Sequence, residues 1–340
     1  MESGKVALVL KWVGYLTAII ALFTGIRGIV KLVSDRAESA RQVDSLLASE
    51  VLQLQAHDYQ AAWQSLQQAS QIKPDSPKVQ SAQETLAMIW LQNIIVTGNQ
   101  TFSDITEKLE PVLTRGVAAS KPGSKQADLL AHLGWTYFLR GREGHPNLDP
   151  VASYAKAVEE DPDNPYAQAM WGHWILSKNG NLSEGEQHFS SALASKREPD
   201  YVRGMQLSAL FNCQKEECEE EIIRIVTAMR KEGRSVSPEF VRRIFSIYYS
   251  RLLLGRFDTR SFVNAVPPDE HLATFRWLFE KSDFDPSKSL QRSYYLAALQ
   301  EAAGQRVEAL AAYRTIHAQV ARDPGSLLDA VNSGIKRLSR

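Results

Sequence analysis

Few residues of this 340-residue chain combine the types and spacing that catalysis or metal binding requires. Cys213 and Cys218 are separated by four residues and have no histidine or second cysteine pair nearby, which does not favour a metal site. In an oxidising compartment they could bridge across a helix-to-helix turn; otherwise they would be ordinary thiols. The five glutamates between Glu216 and Glu221 suit the N-terminal end of a helix dipole. We therefore interpret them as the start of a helix rather than as a site for a basic partner.

Sequence motifs of the common hydrolases and nucleotide-binding proteins are absent. The chain contains no His-Glu-x-x-His, Gly-x-Ser-x-Gly or Gly-x-x-x-x-Gly-Lys-Ser/Thr. The histidines at 132, 173 and 188 have no acidic or nucleophilic companion at a suggestive spacing. The sequence therefore predicts a protein that is not an enzyme, with no cofactor and no metal.

Composition and charge narrow the choice of partners. Apolar residues make up 44% of the chain and charged residues 23%, which is typical of an ordered globular protein. Lysine plus arginine equals aspartate plus glutamate, at 39 each, so no net positive field exists to attract nucleic acid. We expect no nucleic-acid partner.

The elements that position all these residues are predicted to be helices in a recurring pattern. The most complete instance is Asp58-Tyr59-x-x-Ala62-x-x-x-Leu66-x-x-Ala69-x-x-x-x-Pro74. Part of this spacing returns at Tyr154, Ala157 and Pro162, just before a helix that contains Trp171-Gly172. Recurrence of this kind indicates a stack of helix pairs, in which each pair buries its apolar face against the next.

The pattern resembles the tetratricopeptide repeat (TPR) family. That family places Leu-Gly and Tyr on the first helix of a unit, small and aromatic residues on the second, and proline at its end. The matching residues are Leu133-Gly134, Tyr137, Tyr154, Ala157 and Pro162 in one unit, Trp171-Gly172, Gly185, Phe189 and Ala192 in the next, and Leu296-Ala297, Gly304, Ala309 and Tyr313 near the end. The resemblance implies an all-α, TPR-like α-solenoid of antiparallel helix pairs.

The resemblance also implies where a partner would bind. By analogy with the family, the concave face would carry Trp135, Phe138, Tyr166, His173 and Tyr294. For Trp135 and Phe138 the alternative is packing between helices. Met170 stands where family members that grip a peptide's terminal carboxylate have asparagine, so that clamp does not carry over.

The N-terminal segment has a different character. Trp12 to Ile26 carries no charge, and with Lys11 and Arg27 reaching towards water from its ends, residues 10–33 are long enough to span a bilayer. No small-x-small pair follows the apolar run, which favours an uncleaved anchor over a signal peptide. Thr17, Ala21 and Gly25 recur every fourth residue and would permit close packing in a homo-oligomer. The flanking positive charges lean slightly towards a cytoplasmic repeat region at a cell inner membrane, but a basic N-terminus before a large domain also fits a signal anchor that delivers the domain outward, so the side stays open.

The predicted organisation is a tail (1–9), a transmembrane helix (10–33), N-terminal TPR-like hairpins (34–126), the best-matching repeat pair (127–199), divergent helical hairpins (200–286), and a TPR-like unit with a capping helix (287–340). The predicted function is a membrane-anchored scaffold or adaptor of bacterial type that binds a protein or peptide, in the assembly of a membrane complex. The alternatives are a purely structural subunit of such a complex, or an enzyme with an unrecognised site in 200–286.

Overall fold

The secondary structure of the chain is helical throughout the part that a computed structural model describes, residues 34–96, 98–145, 148–213, 215–254, 265–281, 290–320 and 326–340. This confirms the predicted all-α class. Within the same ranges, no helix is long and apolar enough to cross a membrane. The predicted membrane helix at 10–33, including the Thr17, Ala21 and Gly25 face, lies outside the described residues.

The helices fall into two compact units, which divide between Pro150 and Val151. The helices of the first unit are α1 (34–55), α2 (Tyr59–Ile72), α3 (Pro77–Gln92), α4 (Phe102–Ala119) and α5 (Ser124–Arg142). Those of the second unit are α6 (Val151–Glu160), α7 (Pro165–Asn179), α8 (Leu182–Ala194), α9 (Pro199–Asn212), α10 (Glu216–Lys231), α11 (Pro238–Leu254), α12 (Pro268–Lys281), α13 (Leu290–Ala302), α14 (Arg306–Val320) and α15 (Ser326–Leu338).

The first unit is held together by contacts between helices that are neighbours in sequence. Helix α3 packs against α2, α4 and α5, and α4 packs against α5. Val43 of α1 joins Ala69 and Val79 in a buried cluster that ties α1 to the α2–α3 hairpin. Because each short connection reverses the chain, consecutive amphipathic helices bury their apolar faces against one another.

Helix α4 contains a proline at an internal position. It continues through Pro111 from Phe102 to Ala119. Pro111 is exposed, so the carbonyl group that loses its intrahelical partner, that of Glu107, faces the solvent side. At its start α4 is fixed by a capping box, in which Thr101 and Asp104 exchange side-chain and backbone hydrogen bonds.

A carboxylate from α5 also closes the start of α4. Glu143 accepts hydrogen bonds from the backbone N–H groups of Phe102 and Ser103, at 2.6 and 2.8 Å, and from the Ser103 hydroxyl at 2.6 Å. Partial burial acts to raise the pKa of Glu143, but these hydrogen bonds together lower it below its usual value. Glu143 thus ties the end of the α4–α5 hairpin to the positive end of the α4 dipole.

The second unit repeats this neighbour-to-neighbour packing over a longer stretch. In the N-terminal part of this unit, helix α7 contacts α6, α8 and α9. Its start is capped by Asn164, whose side chain accepts from the backbone N–H of Ala167, and its end by Gly180 in a left-handed conformation. Asn181 then caps α8 in the same manner as Asn164 caps α7. These caps fix a tight two-residue turn, so α7 and α8 run antiparallel.

The α7–α8 crossing is close because glycine lies on both helices. A Cβ atom added at Gly185 would lie 2.8 Å from Cγ of Leu176, and one at Gly172 would lie 3.0 Å from the carbonyl oxygen of Gly185. The buried ring of Phe189 fills the space beside this contact. Both glycines belong to the sequence pattern, and their role in the structure is the close packing that the pattern predicted.

The stretch without a clear repeat signature also forms helices, as its apolar spacing predicted. Helices α9 and α10 pack together, and α10 packs on α12 through a buried hydrogen bond between the hydroxyls of Thr227 and Thr274, 3.0 Å apart. An aromatic cluster lies beside it, with the ring of Phe275 4.8 Å from that of Tyr295 and 5.6 Å from that of Tyr248. The chain then closes with α13, α14 and α15, each packed on the next.

Candidate functional site

Two of the predicted binding residues lie in the first unit and pack on each other. The rings of Trp135 and Phe138 on α5 stack at 4.8 Å, and the side chains are only 7% and 8% exposed. The guanidinium of Arg142 lies 5.9 Å from the Phe138 ring and 5.8 Å from that of Phe102 on α4. The pair therefore contributes to the α4–α5 packing, and its contact with a partner stays a prediction.

The other three lie in the second unit and differ in exposure. His173 is 2% exposed, and its Nδ1 lies 3.2 Å from the Ser177 hydroxyl. Tyr294 is fully buried, with its ring 5.6 Å from that of Tyr313. Tyr166 is half-buried and packs edge-on against Tyr201 of α9, at 5.1 Å. Of these three, Tyr166 presents the most side chain to solvent.

Next to Tyr166, on α9, lies a surface that could not be identified from the repeat pattern. Along α9, one face carries half-buried residues at spacings of three, four and three; we call it the α9 stripe, and it consists of Tyr201, Gly204, Ser208 and Phe211. These positions share one side of a helix because they cover less than a third of its circumference. A Cβ atom at Gly204 would meet nothing within 4 Å, so the middle of the stripe is open.

The far end of the α9 stripe carries a cation. The ring of Phe211 packs edge-on against Phe240 of α11, at 5.4 Å, and the Arg243 guanidinium lies 4.4 Å from the centre of the Phe211 ring. This is a close cation–π contact. Sequence reasoning could have found the stripe from the alternation of aromatic and small residues at helical spacing. It had no signal for Arg243, which reaches Phe211 from a different helix.

The two cysteines form a disulfide in the turn that follows the α9 stripe. Cys213 and Cys218 are bonded, with their Cα atoms 6.1 Å apart, so of the two alternatives the structure contains the bridge. Lys215 inside this loop donates a hydrogen bond to the carbonyl oxygen of Gly180 at 2.7 Å. The disulfide-closed loop is thereby connected to the α7–α8 turn.

The glutamates after Cys213 lie at the start of α10, as predicted. Glu216, Glu217 and Glu219 belong to its first turn. Glu221 pairs with Arg224 at 2.9 Å on the same helix, and Glu216 pairs with Arg251 of α11 at 3.1 Å. The acidic residues thus combine a favourable position on the helix dipole with ion pairs inside the second unit.

The most strongly perturbed carboxyl group of the second unit is Glu186 on α8. Its Oε2 accepts from Nε2 of the buried Gln206 at 2.6 Å, and its buried Oε1 has no hydrogen-bond partner. Burial raises the pKa of Glu186 to about 7, with the negative charge of Glu221 acting in the same direction, while the Gln206 hydrogen bond and Arg203 oppose both. The unpartnered oxygen and the raised pKa are together the properties of a pH-sensitive packing contact.

We expect Glu186→Gln to stabilise the protein at pH 8 and to have much less effect at pH 5. The pKa of Glu186 is raised in the folded state, so the protonated carboxyl contributes its full stability below about pH 4.5, the usual pKa of glutamate. This contribution is lost as the pH rises through about 7, because the buried carboxyl must then ionise. The neutral amide avoids that loss, which after allowance for solvent screening is about 1–2 kcal/mol. Urea unfolding at both pH values measures it. Glu159→Gln, at an exposed position on α6, should show no such pH dependence.

Burial also shifts the pKa of a histidine in the first unit. Burial lowers the pKa of His132 to about 4, against the opposing hydrogen bond with the Asp128 carbonyl oxygen. Its other ring nitrogen lies 3.0 Å from Gln92 Nε2 on α3. His132 is therefore a neutral residue of the α3–α5 packing at physiological pH. In the described ranges, no group of histidine, cysteine, aspartate and glutamate side chains is arranged to hold a metal ion.

No protein-family model and no curated protein matches the chain. Among solved structures, it is similar to a tetratricopeptide repeat protein from Parabacteroides merdae ATCC 43184, at 13% sequence identity and a TM-score of 0.41. The match covers 88% of this chain and 100% of that one.

Proposed function

We propose that this chain is a membrane-tethered helical-repeat scaffold that binds a protein segment on the α9 stripe. The observation that supports it most directly is the stripe itself. It combines half-buried aromatic side chains, an open centre at Gly204, and a cation at Arg243 on a rigid helix pair. Interfaces are enriched in aromatic residues and arginine of this kind. The neighbour-to-neighbour packing of α6 to α10 holds the stripe in place without a partner.

The tether is proposed from residues 10–33, a mostly apolar stretch that ends directly before α1. A span near the N-terminus would keep the repeat units close to the bilayer and raise the effective concentration of any docked membrane protein. This is the property that an assembly factor for a membrane complex needs.

The side of the membrane is proposed from the disulfide. Disulfides persist in oxidising compartments and are rare where thiols are kept reduced. The bond between Cys213 and Cys218 therefore favours the oxidising side for the repeat units. It outweighs the flanking charges, which differ between the two sides of the span by about one positive charge.

In-cell photo-crosslinking tests the scaffold function. A benzophenone amino acid at Ser208, in the middle of the stripe, should give a discrete adduct with a second protein. The same group at Gln187, exposed on α8, is the matched position and should give none. If neither position crosslinks to another protein, or both crosslink only to copies of this chain, the proposal is overturned in favour of a purely structural subunit.

Thiol trapping tests the membrane side. Cells quenched in acid and treated with a maleimide polymer should show no mass increase without reductant and a two-label increase after reduction. A C-terminal phosphatase fusion should be active. Cysteines that react fully without reductant, together with an inactive fusion, would place the repeat units on the reducing side.

A further inference from the structure

The chemistry at the end of the α9 stripe specifies what kind of segment it holds. We infer that Arg243 receives a carboxylate side chain, Asp or Glu, of an acidic protein segment whose neighbouring apolar residue lies in the open centre at Gly204. The inference rests on the proposed scaffold function and adds the charge and order of the partner's residues. Three observations carry it.

The first is that the charge of Arg243 is not neutralised. Within the described part of the chain, no carboxylate ion-pairs with it, and this includes Glu239, four residues earlier on α11. By contrast, Arg251 two turns further along the same helix pairs with Glu216. A half-buried cation without a counter-charge is the complement of an acidic group on a partner.

The second is that the guanidinium is held in place before binding. It lies 4.4 Å from the centre of the Phe211 ring, which also packs edge-on against Phe240. A cation–π contact uses none of the guanidinium N–H groups as hydrogen-bond donors to an anion, and the planar guanidinium matches a carboxylate through two parallel hydrogen bonds. Because stacking already restricts the side chain, less conformational entropy is lost when the carboxylate arrives.

The third is the shape beside the cation. Gly204 and Ser208 lie between Tyr201 and Phe211, which are nearly three turns of helix apart, and the space above Gly204 is open. An apolar side chain placed at Gly204 would lie between the Tyr201 ring and the cation at the Phe211 end. The acidic residue and the apolar one would therefore be close neighbours in the partner's sequence.

Selection from a random-decapeptide display library on the full chain in detergent tests the inference. With the wild-type chain we expect enriched peptides to contain Asp or Glu next to a leucine, isoleucine or aromatic residue. For one enriched peptide, exchange of the acid for its amide should weaken binding about tenfold, as loss of a charge-assisted hydrogen-bonded pair does. Arg243→Gln should abolish that difference, while Arg243→Lys, which keeps the charge but not the fork, should retain part of it.

Arg242→Gln is the matched control. It removes the same charge from the next position on α11, but Arg242 is exposed and has no ring contact, so the preference for acid should persist. Equal melting temperatures of the variants exclude misfolding as the cause. Enrichment without acidic residues, unchanged preference in Arg243→Gln, or no enrichment at all overturns the inference. Retention on anionic lipid vesicles that requires Arg243 would also overturn it, in favour of a headgroup. The photo-crosslink at Ser208 is a separate readout and tests the scaffold function whichever residues are selected.

Discussion

Replacing Gly185 by alanine is expected to destabilise the second unit by about 2 kcal/mol, although alanine is the better helix former. The added methyl group would lie 2.8 Å from Cγ and 3.2 Å from Cδ1 of Leu176. Leu176 is buried in a close-packed interior, so the clash can be relieved only by a shift of its side chain against its neighbours or by a wider spacing of α7 and α8. Gly172→Ala meets the same crossing from the other helix, 3.0 Å from a backbone carbonyl, and should have a similar effect.

Gly204→Ala is the control for this experiment. It makes the same chemical change inside a helix of the same unit, but its methyl group meets nothing within 4 Å. Helix propensity then acts alone and should stabilise by up to about 1 kcal/mol. The difference between Gly185→Ala and Gly204→Ala, about 3 kcal/mol in urea unfolding, isolates the cost of the close approach. Equal shifts in both variants would mean that the α7–α8 crossing is not tightly packed.

These glycines show why the helical core could be predicted from sequence. Gly172, Gly185 and Phe189 occur at the spacing that a close crossing of two helices requires, and local sequence carries that spacing. The asparagine that caps the start of each of α7 and α8 is a local signal of the same kind. Because these contacts join helices that are adjacent in the sequence, a local sequence pattern is enough to predict them.

The candidate binding surface was much less predictable. Family analogy pointed to His173 and Tyr294; the structure buries both side chains, and their contact with a partner stays a prediction. Arg243 and Phe211 are 32 positions apart, and their stacking depends on how α11 crosses the end of α9. Local periodicity contains no information on that crossing.

The second large effect is expected at the C-terminal helix α15, which is held by Glu301. Glu301→Ala is expected to destabilise α15 by about 3 kcal/mol. The carboxylate of Glu301 accepts from the Tyr313 hydroxyl at 2.9 Å and from Arg337 through Nε and Nη2, at 2.8 and 2.9 Å. Hydrogen bonding to Glu301 raises the pKa of Arg337 above its usual value. Alanine would leave the buried Tyr313 hydroxyl and a partly buried guanidinium without this acceptor.

The contact matters beyond its own energy because it fixes the terminal helix. A methyl group on Gly334 of α15 would lie 2.7 Å from the Tyr313 ring of α14, so these two helices already touch, and the Arg337–Glu301 pair joins α15 to α13. Hydrogen exchange of the α15 amides should therefore accelerate strongly in Glu301→Ala. Glu301→Gln keeps an oxygen acceptor but loses the charge and should accelerate it less. Unchanged exchange in the alanine variant would show that apolar packing against Tyr313 alone retains α15. Faster exchange confined to α15 would show that the terminal helix opens as a separate unit, without unfolding the helices that hold the α9 stripe.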